Sequence, residues 1–164
     1  MDTLELLLAL EDELPECASR VAELHHYWRA IKPPEWRMPG RRQFDPVAVP
    51  KLLPWLRLYD VQRDPLRFRY RLIGTELVRF MGHDPTGKWV DEMFPGVVGS
   101  YEYQVLETVA GGQFKAYSRG APIRVVSKDH LVAERLTLPL AQDGGHVDMV
   151  IAITVYHPAK AAAA

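Results

Sequence analysis

The sequence predicts a single α+β domain built on a mostly antiparallel sheet, and three observations predict it. First, two strand-like runs, residues 56–61 and 68–73, precede a stretch of short helical segments, and three more strand-like runs, about 116–126, 130–140 and 146–156, follow it. Second, Phe68, Tyr70 and Leu72 alternate with Arg69 and Arg71, the period of two expected of a half-buried strand. Third, Ser127-Lys128-Asp129 and Gln142-Asp143-Gly144-Gly145 are short, turn-rich connections of hairpin type. Two strands set apart by helices from three hairpin-linked ones give a five-stranded antiparallel sheet, with the helices between its second and third strands.

The elements follow in order. Thr3 can cap a short leucine-rich helix that ends before Pro15, and a second helix is expected over about residues 15–31. In that second helix Cys17, Val21, Leu24, Trp28 and Ile31 recur at helical spacing and form one apolar stripe. The stripe could serve a partner; packing on the domain's own sheet is the commoner use. Residues 32–54 carry six prolines, at positions 33, 34, 39, 46, 50 and 54, which exclude a long helix and leave turns and extended chain. Asp64-Pro65 marks the turn between the first two core strands. Thr75 can cap a short helix that Gly82 stops, and Ser100 can cap a longer one closed by Gly111-Gly112. These signals divide the chain into N-terminal helices and connector (1–54), a core (55–157) and a frayed tail (158–164).

Composition narrows the function classes. A chain of 164 residues supports one domain with a sizeable core. The formal net charge of -1 supplies no field that would draw it to nucleic acid or to an acidic membrane surface. One cysteine, Cys17, allows neither an intrachain disulfide nor a cysteine metal site and suits a reducing, cytoplasmic setting. The N-terminus has no basic flank typical of a secretory signal, and no apolar run approaches membrane-spanning length.

Several segments carry a resemblance to a known family. Tyr27-Trp28, Met38-Pro39, Asp45-Pro46, Leu52-Leu53-Pro54 and Leu58-Tyr59-Asp60-Val61 precede Phe68-Arg69-Tyr70-Arg71-Leu72-Ile73-Gly74-Thr75. Gly82, Asp84, Thr86-Gly87 and Glu134-Arg135-Leu136-Thr137-Leu138-Pro139-Leu140 follow. Together, over about residues 20–156, they resemble a stand-alone bacterial PAS-domain family of uncharacterised function. The resemblance implies the PAS fold with an extra N-terminal helix, and it implies no particular ligand.

The residues that PAS cofactors require are missing from the places where they would act. A flavin photosensor or a thioester-linked chromophore needs a cysteine in the core, and Cys17 lies in the N-terminal helix. A haem site of the common PAS kind needs a histidine on the long helix, and residues 100–111 contain none. His25 and His26 are adjacent, so on a helix they point about 100° apart and do not converge on a metal. No cofactor and no metal is therefore expected. No nucleophile elbow, phosphate-binding loop or dinucleotide fingerprint occurs either, and Ser127, Asp129 and His130 read as turn chemistry, not a catalytic triad. The chain is not expected to be an enzyme.

Alternation in the last two strands leaves open which face is inward. Alignment of Pro139 and Gly144-Gly145 with the corresponding hairpin of PAS domains implies that Arg135, Thr137, Ala152 and Thr154 face in. The leucine and isoleucine faces would then lie outside, for the N-terminal helix to cover. The interior would combine small residues with a few polar ones, with Arg124 from the neighbouring strand, which favours a ligand pocket. The candidate site is Arg124, Arg135, Thr137 and Thr154 on the sheet, with Phe80, Met81, Trp89 and Met93 on the helical wall. A buried arginine calls for an anionic ligand or an internal partner, and Glu134, Glu107, Asp91 and Glu92 are candidates for the latter. Two functions remain. One is a sensory module that binds a small anion and signals through non-covalent protein contacts. The other is a ligand-free interaction or dimerisation module whose partner is a second copy or a regulatory protein. The basic and aromatic run Arg69-Tyr70-Arg71 resembles single-strand binding surfaces, but the recognition strand motif is absent, so no nucleic-acid partner is expected.

Overall fold

Pairing along a single sheet organises the chain. The computed structural model describes residues 3–123 and 130–159. Its elements are β1 (Leu4–Ala9), α1 (Ser19–Ala30), β2 (Leu56–Gln62), β3 (Arg67–Ile73), α2 (Thr75–Met81), α3 (Val90–Met93), α4 (Tyr101–Ala110), β4 (Phe114–Gly120), β5 (Leu131–Leu140) and β6 (Met149–Pro158). The strands form one sheet in the order β1-β4-β5-β6-β2-β3, and every neighbouring pair is antiparallel. The proline-rich connector folds as three short 3₁₀ turns. No helix among the described residues is long and apolar enough to cross a membrane.

The α+β fold with helices between β3 and β4 is as expected, but the sheet has six strands and not five. The leucine-rich start is not a helix. It is β1, paired with β4 from Leu4↔Arg119 to Ala9↔Phe114. Leucine favours a helix, yet an isolated helix this short is marginal, and the open edge of β4 offers a full ladder of backbone partners. The N-terminal extension is thus a strand followed by a helix. The β3 alternation also breaks. The register steps from Tyr59↔Tyr70 to Leu58↔Leu72, so Arg71 is an extra, bulged residue and Leu72 turns to solvent while Phe68 and Tyr70 stay buried. The hairpin expected at residues 127–129 and the tail beyond 159 lie outside the described residues, and β6 itself runs through Pro158.

Thr75 is the first residue of α2, whose N-cap is Gly74, and α1 starts at Ser19 and not at Pro15, while two other local signals act as read. Ser100 accepts a hydrogen bond from the Tyr103 backbone N–H at 3.3 Å and opens α4. Gly82 ends α2 with φ of 82°, a left-handed conformation that a side chain would strain.

Helix α1 lies on one face of the sheet, against β5 and β6. Its Val21, Leu24 and Trp28 are buried with Leu136, Leu138, Ile151 and Ile153 of those strands in one apolar core. Two polar contacts fasten it to β5. Trp28 Nε1 donates to the Pro139 carbonyl at 2.9 Å. At the other end, buried Glu134 accepts from the Ala18 backbone N–H at 3.0 Å, where Ala18 has no side chain to cap the helix. Glu134 also accepts from the Tyr117 hydroxyl at 3.2 Å and lies 3.0 Å from His157 Nε2.

The segment between β1 and α1 is strapped down by two cations. Arg29 pairs with Glu13 and donates to the Glu11 and Asp12 carbonyls. Fully buried Lys115 donates to the Leu10 and Asp12 carbonyls, and its Nζ lies 2.8 Å from His25 Nε2. Burial first, then the Lys115 and Arg29 charges, pulls the His25 pKa down to about 4. Neutral His25 can therefore accept from Lys115.

Two outcomes are expected. Trp28 is 3% exposed, so Trp28→Ala should cost about 3–5 kcal/mol in urea unfolding. An unchanged midpoint would show that α1 does not pack. For His25 the folded state favours the neutral ring, so the unfolded chain binds the extra proton. Its contribution is complete above pH 6.5 and is lost as pH falls from there to about 4. Unfolding free energies measured across that window should fall more steeply for the wild type than for His25→Gln. Parallel curves would refute the assignment.

Candidate functional site

The face of the sheet opposite α1 carries a different side-chain set. Alternation puts Arg57 and Tyr59 of β2, Thr137 and Arg135 of β5, and Ala152 and Thr154 of β6 on this inner face, where they line a cavity of about 150 Å³. Cross-strand register arranges them in rows. Arg57 sits opposite Ala152, Ala152 opposite Thr137, and Thr137 opposite Ala116. In the next row Thr154 sits opposite Arg135, and Arg135 opposite Ser118. The alanines and Ser118 are too small to fill the gap beneath the helices, which leaves the space. Met81, Val90, Phe94, Val105 and Leu106 supply an apolar wall across from this floor.

Three polar features define what the cavity can do. The Thr154 side chain is 1% exposed, and its hydroxyl has no hydrogen-bond partner among the described residues. A buried hydroxyl without a partner is costly, and here its residue lines the cavity. Arg57 is half-buried; burial alone draws its pKa down, but the phenols of Tyr59, Tyr70 and Tyr156 outweigh that and hold it above the usual arginine value. Of the three, the Tyr59 phenol is within hydrogen-bonding reach of Arg57. Arg135 is pulled the other way, first by burial and then by repulsion from Arg57, with Glu102 and the Tyr156 and Tyr101 phenols opposing. One Arg135 N–H donates to the Ala121 carbonyl at 3.3 Å.

The expected site residues divide into three groups. Arg135, Thr137, Thr154 and Met81 are brought together on the lining. Phe80, Trp89 and Met93 lie off it. Phe80 stacks on Tyr156, ring centroids 4.1 Å apart, and so backs a lining residue. Trp89 takes the Arg67 and Arg69 guanidiniums over its ring at 4.2 and 5.6 Å, beside the β3 edge. Met93 ends α3, half-buried, and its neighbours Val90 and Phe94 make the wall instead. Arg124 lies outside the described residues. Three of the carboxylates considered as internal partners for a buried arginine are engaged elsewhere: Asp91 and Glu92 with Arg67, and Glu134 on the outer face. Arg69 pairs with Asp60, so the basic run on β3 is partly neutralised.

Sequence reasoning missed Arg57, the phenols of Tyr59, Tyr70 and Tyr156, and Glu102 on α4. A signal existed for the first two. Leu56-Arg57-Leu58-Tyr59 alternates, and once β2 is placed beside β6 its arginine must share a face with Ala152.

An antiparallel sheet with helix α1 on one face and short helices roofing a cavity on the other is the architecture that positions this site. A family model described as PAS domain matches residues 17–155. The chain belongs to the PAS-domain family, whose members are sensory or regulatory modules. No curated protein and no solved structure matches it.

The orphaned hydroxyl yields a prediction about the protein alone. Thr154→Val keeps the shape and removes the polar group. It should raise stability by about 1 kcal/mol or more in chemical denaturation. A variant as stable as the wild type, or less stable, would mean that the hydroxyl is satisfied.

Proposed function

We propose that this domain is a sensor that binds a small anionic ligand in the inner cavity and reports it through non-covalent protein contacts. The observation that carries the reading is the buried, unpartnered Thr154 hydroxyl beside two arginines at the floor of the cavity. A group of this kind calls for a bound water or ligand to answer it. The route outward is short. Arg135 points into the cavity, while Glu134, the preceding residue of β5, reaches the start of α1 on the opposite face. A ligand that draws on Arg135 acts on a strand that also anchors the helix at Pro139. A change in α1 packing is then the signal that a partner protein reads.

A second reading, a ligand-free interaction or dimerisation module, is favoured by β1. This edge strand holds four leucines, none of them fully buried, with Leu4 and Leu7 42% and 55% exposed. An open apolar edge is a surface on which a second copy or another protein can add a strand.

Thermal-shift screening of anionic metabolites on the wild type and on Arg135→Met separates the two. A true ligand at a hundredfold excess over its Kd stabilises the folded wild type by about 2.7 kcal/mol and leaves the variant unmoved. If no compound shifts the wild type and Arg135→Met melts higher, the arginine answers no ligand and the interaction reading takes its place.

A further inference from the structure

The placement of Arg57 says more about the ligand than its sign. Arg57 on β2 and Arg135 on β5 flank β6 on either side, opposite Ala152 and Thr154 respectively. Ala152 and Thr154 are two residues apart on β6 and share its inner face. The two arginine backbones therefore stand on a diagonal across one strand, about 10 Å apart laterally from two strand spacings, and both side chains line the same cavity. Two arginine side chains bridge that span, and the alanine between them leaves room for a small head group. The Thr154 hydroxyl lies on the same strip of floor, a donor without a partner among the described residues.

Charge and shape restrict the molecule that fits. Among the described lining residues the titratable side chains besides the phenols are Arg57, Arg135, Glu102 and His83, which with the histidine neutral carry a formal charge of one positive for a ligand to balance. The opposite wall, with Met81, Phe94, Val105 and Leu106, offers contact to carbon and no charge. The volume of about 150 Å³ matches an apolar space that admits a benzene-sized body. A second anionic group would have to lie against that apolar wall or beside Glu102.

Resting on the cavity reading above, we propose that the ligand is a monocarboxylate with a ring-sized apolar body. Its carboxylate lies between the Arg57 and Arg135 guanidiniums, accepts the Thr154 hydroxyl, and its body packs under α3 and α4. Planar guanidinium forks suit a carboxylate better than a point charge would, and each guanidinium carries five N–H donors. Arg57 is then a specificity-determining residue and not a structural one.

The test uses benzoate as the probe, with benzamide, phthalate and inorganic phosphate as its neutral, dianionic and body-free counterparts, titrated calorimetrically against the folded protein at millimolar concentration. Benzoate should bind, and each counterpart should bind at least about tenfold more weakly. Arg57→Met and Arg135→Met should each weaken benzoate by roughly ten- to a hundredfold, the effect of removing a charged hydrogen bond. Arg57→Lys, which keeps the charge and loses the fork, provides the same reading if the methionine variant does not fold, and should also weaken benzoate. Benzamide binding as well as benzoate, or Arg57→Lys and Arg57→Met both binding like the wild type, would overturn the clamp and leave the cavity reading intact. Phthalate or phosphate binding tighter would overturn the monocarboxylate class and likewise leave an anion cavity. Binding of none of the four would overturn this proposal, and a negative metabolite screen on the same protein would remove the cavity reading as well.

Discussion

The alternation of β5 between two chemically different faces holds this structure together. One side of the strand is Glu134, Leu136, Leu138 and Leu140, all buried, and α1 closes over it. The other side is Arg135, Thr137 and Pro139, of which the first two line the cavity. Side chains on a strand alternate strictly, so a one-residue slip would put the arginine under α1 and the leucines into the cavity. The pairings of β5 with both β4 and β6 fix that register over ten residues of the strand. Everything else, from the seat of α1 to the position of the guanidiniums, follows from it.

The two faces also divide the energetics. The outer face is a conventional core in which apolar area is removed from water and each polar atom finds a partner, Glu134 with three of them. The inner face is not optimised for stability. Small residues leave space, two like charges share one enclosure, and a hydroxyl goes without a hydrogen bond. Each of these raises the free energy of the folded protein by itself. A stable outer layer is what allows the inner one to be kept in a form suited to recognition.

The N-terminal segment shows how tertiary contacts recruit chain that would not fold alone. The stretch from β1 into α1 is leucine-rich, then acidic, and its own propensities point to a helix. It is held as a strand by pairing with β4, and the acidic turn after it is held by Lys115 and Arg29. Those cations sit on β4 and α1, about 15 to 100 residues away along the chain, so no local pattern announces them.

The sequence by itself determined the class, the order of the core elements and the helix ends at Ser100 and Gly82, because these rest on local periodicity and on residues whose geometry is their own. Alternation also put Arg135 and Thr137 on one face of β5, and the resemblance to PAS hairpins set Thr154 beside them. Only the tertiary structure decided that β1 is a strand, that Arg71 bulges, and that Arg57 joins Arg135 in one cavity. Those outcomes depend on which strands become neighbours, and the β2 and β6 partners are separated by 86 or more residues between the ends of one and the start of the other. Pairing at that distance is set by the closure of the whole sheet, not by the local run of amino acids.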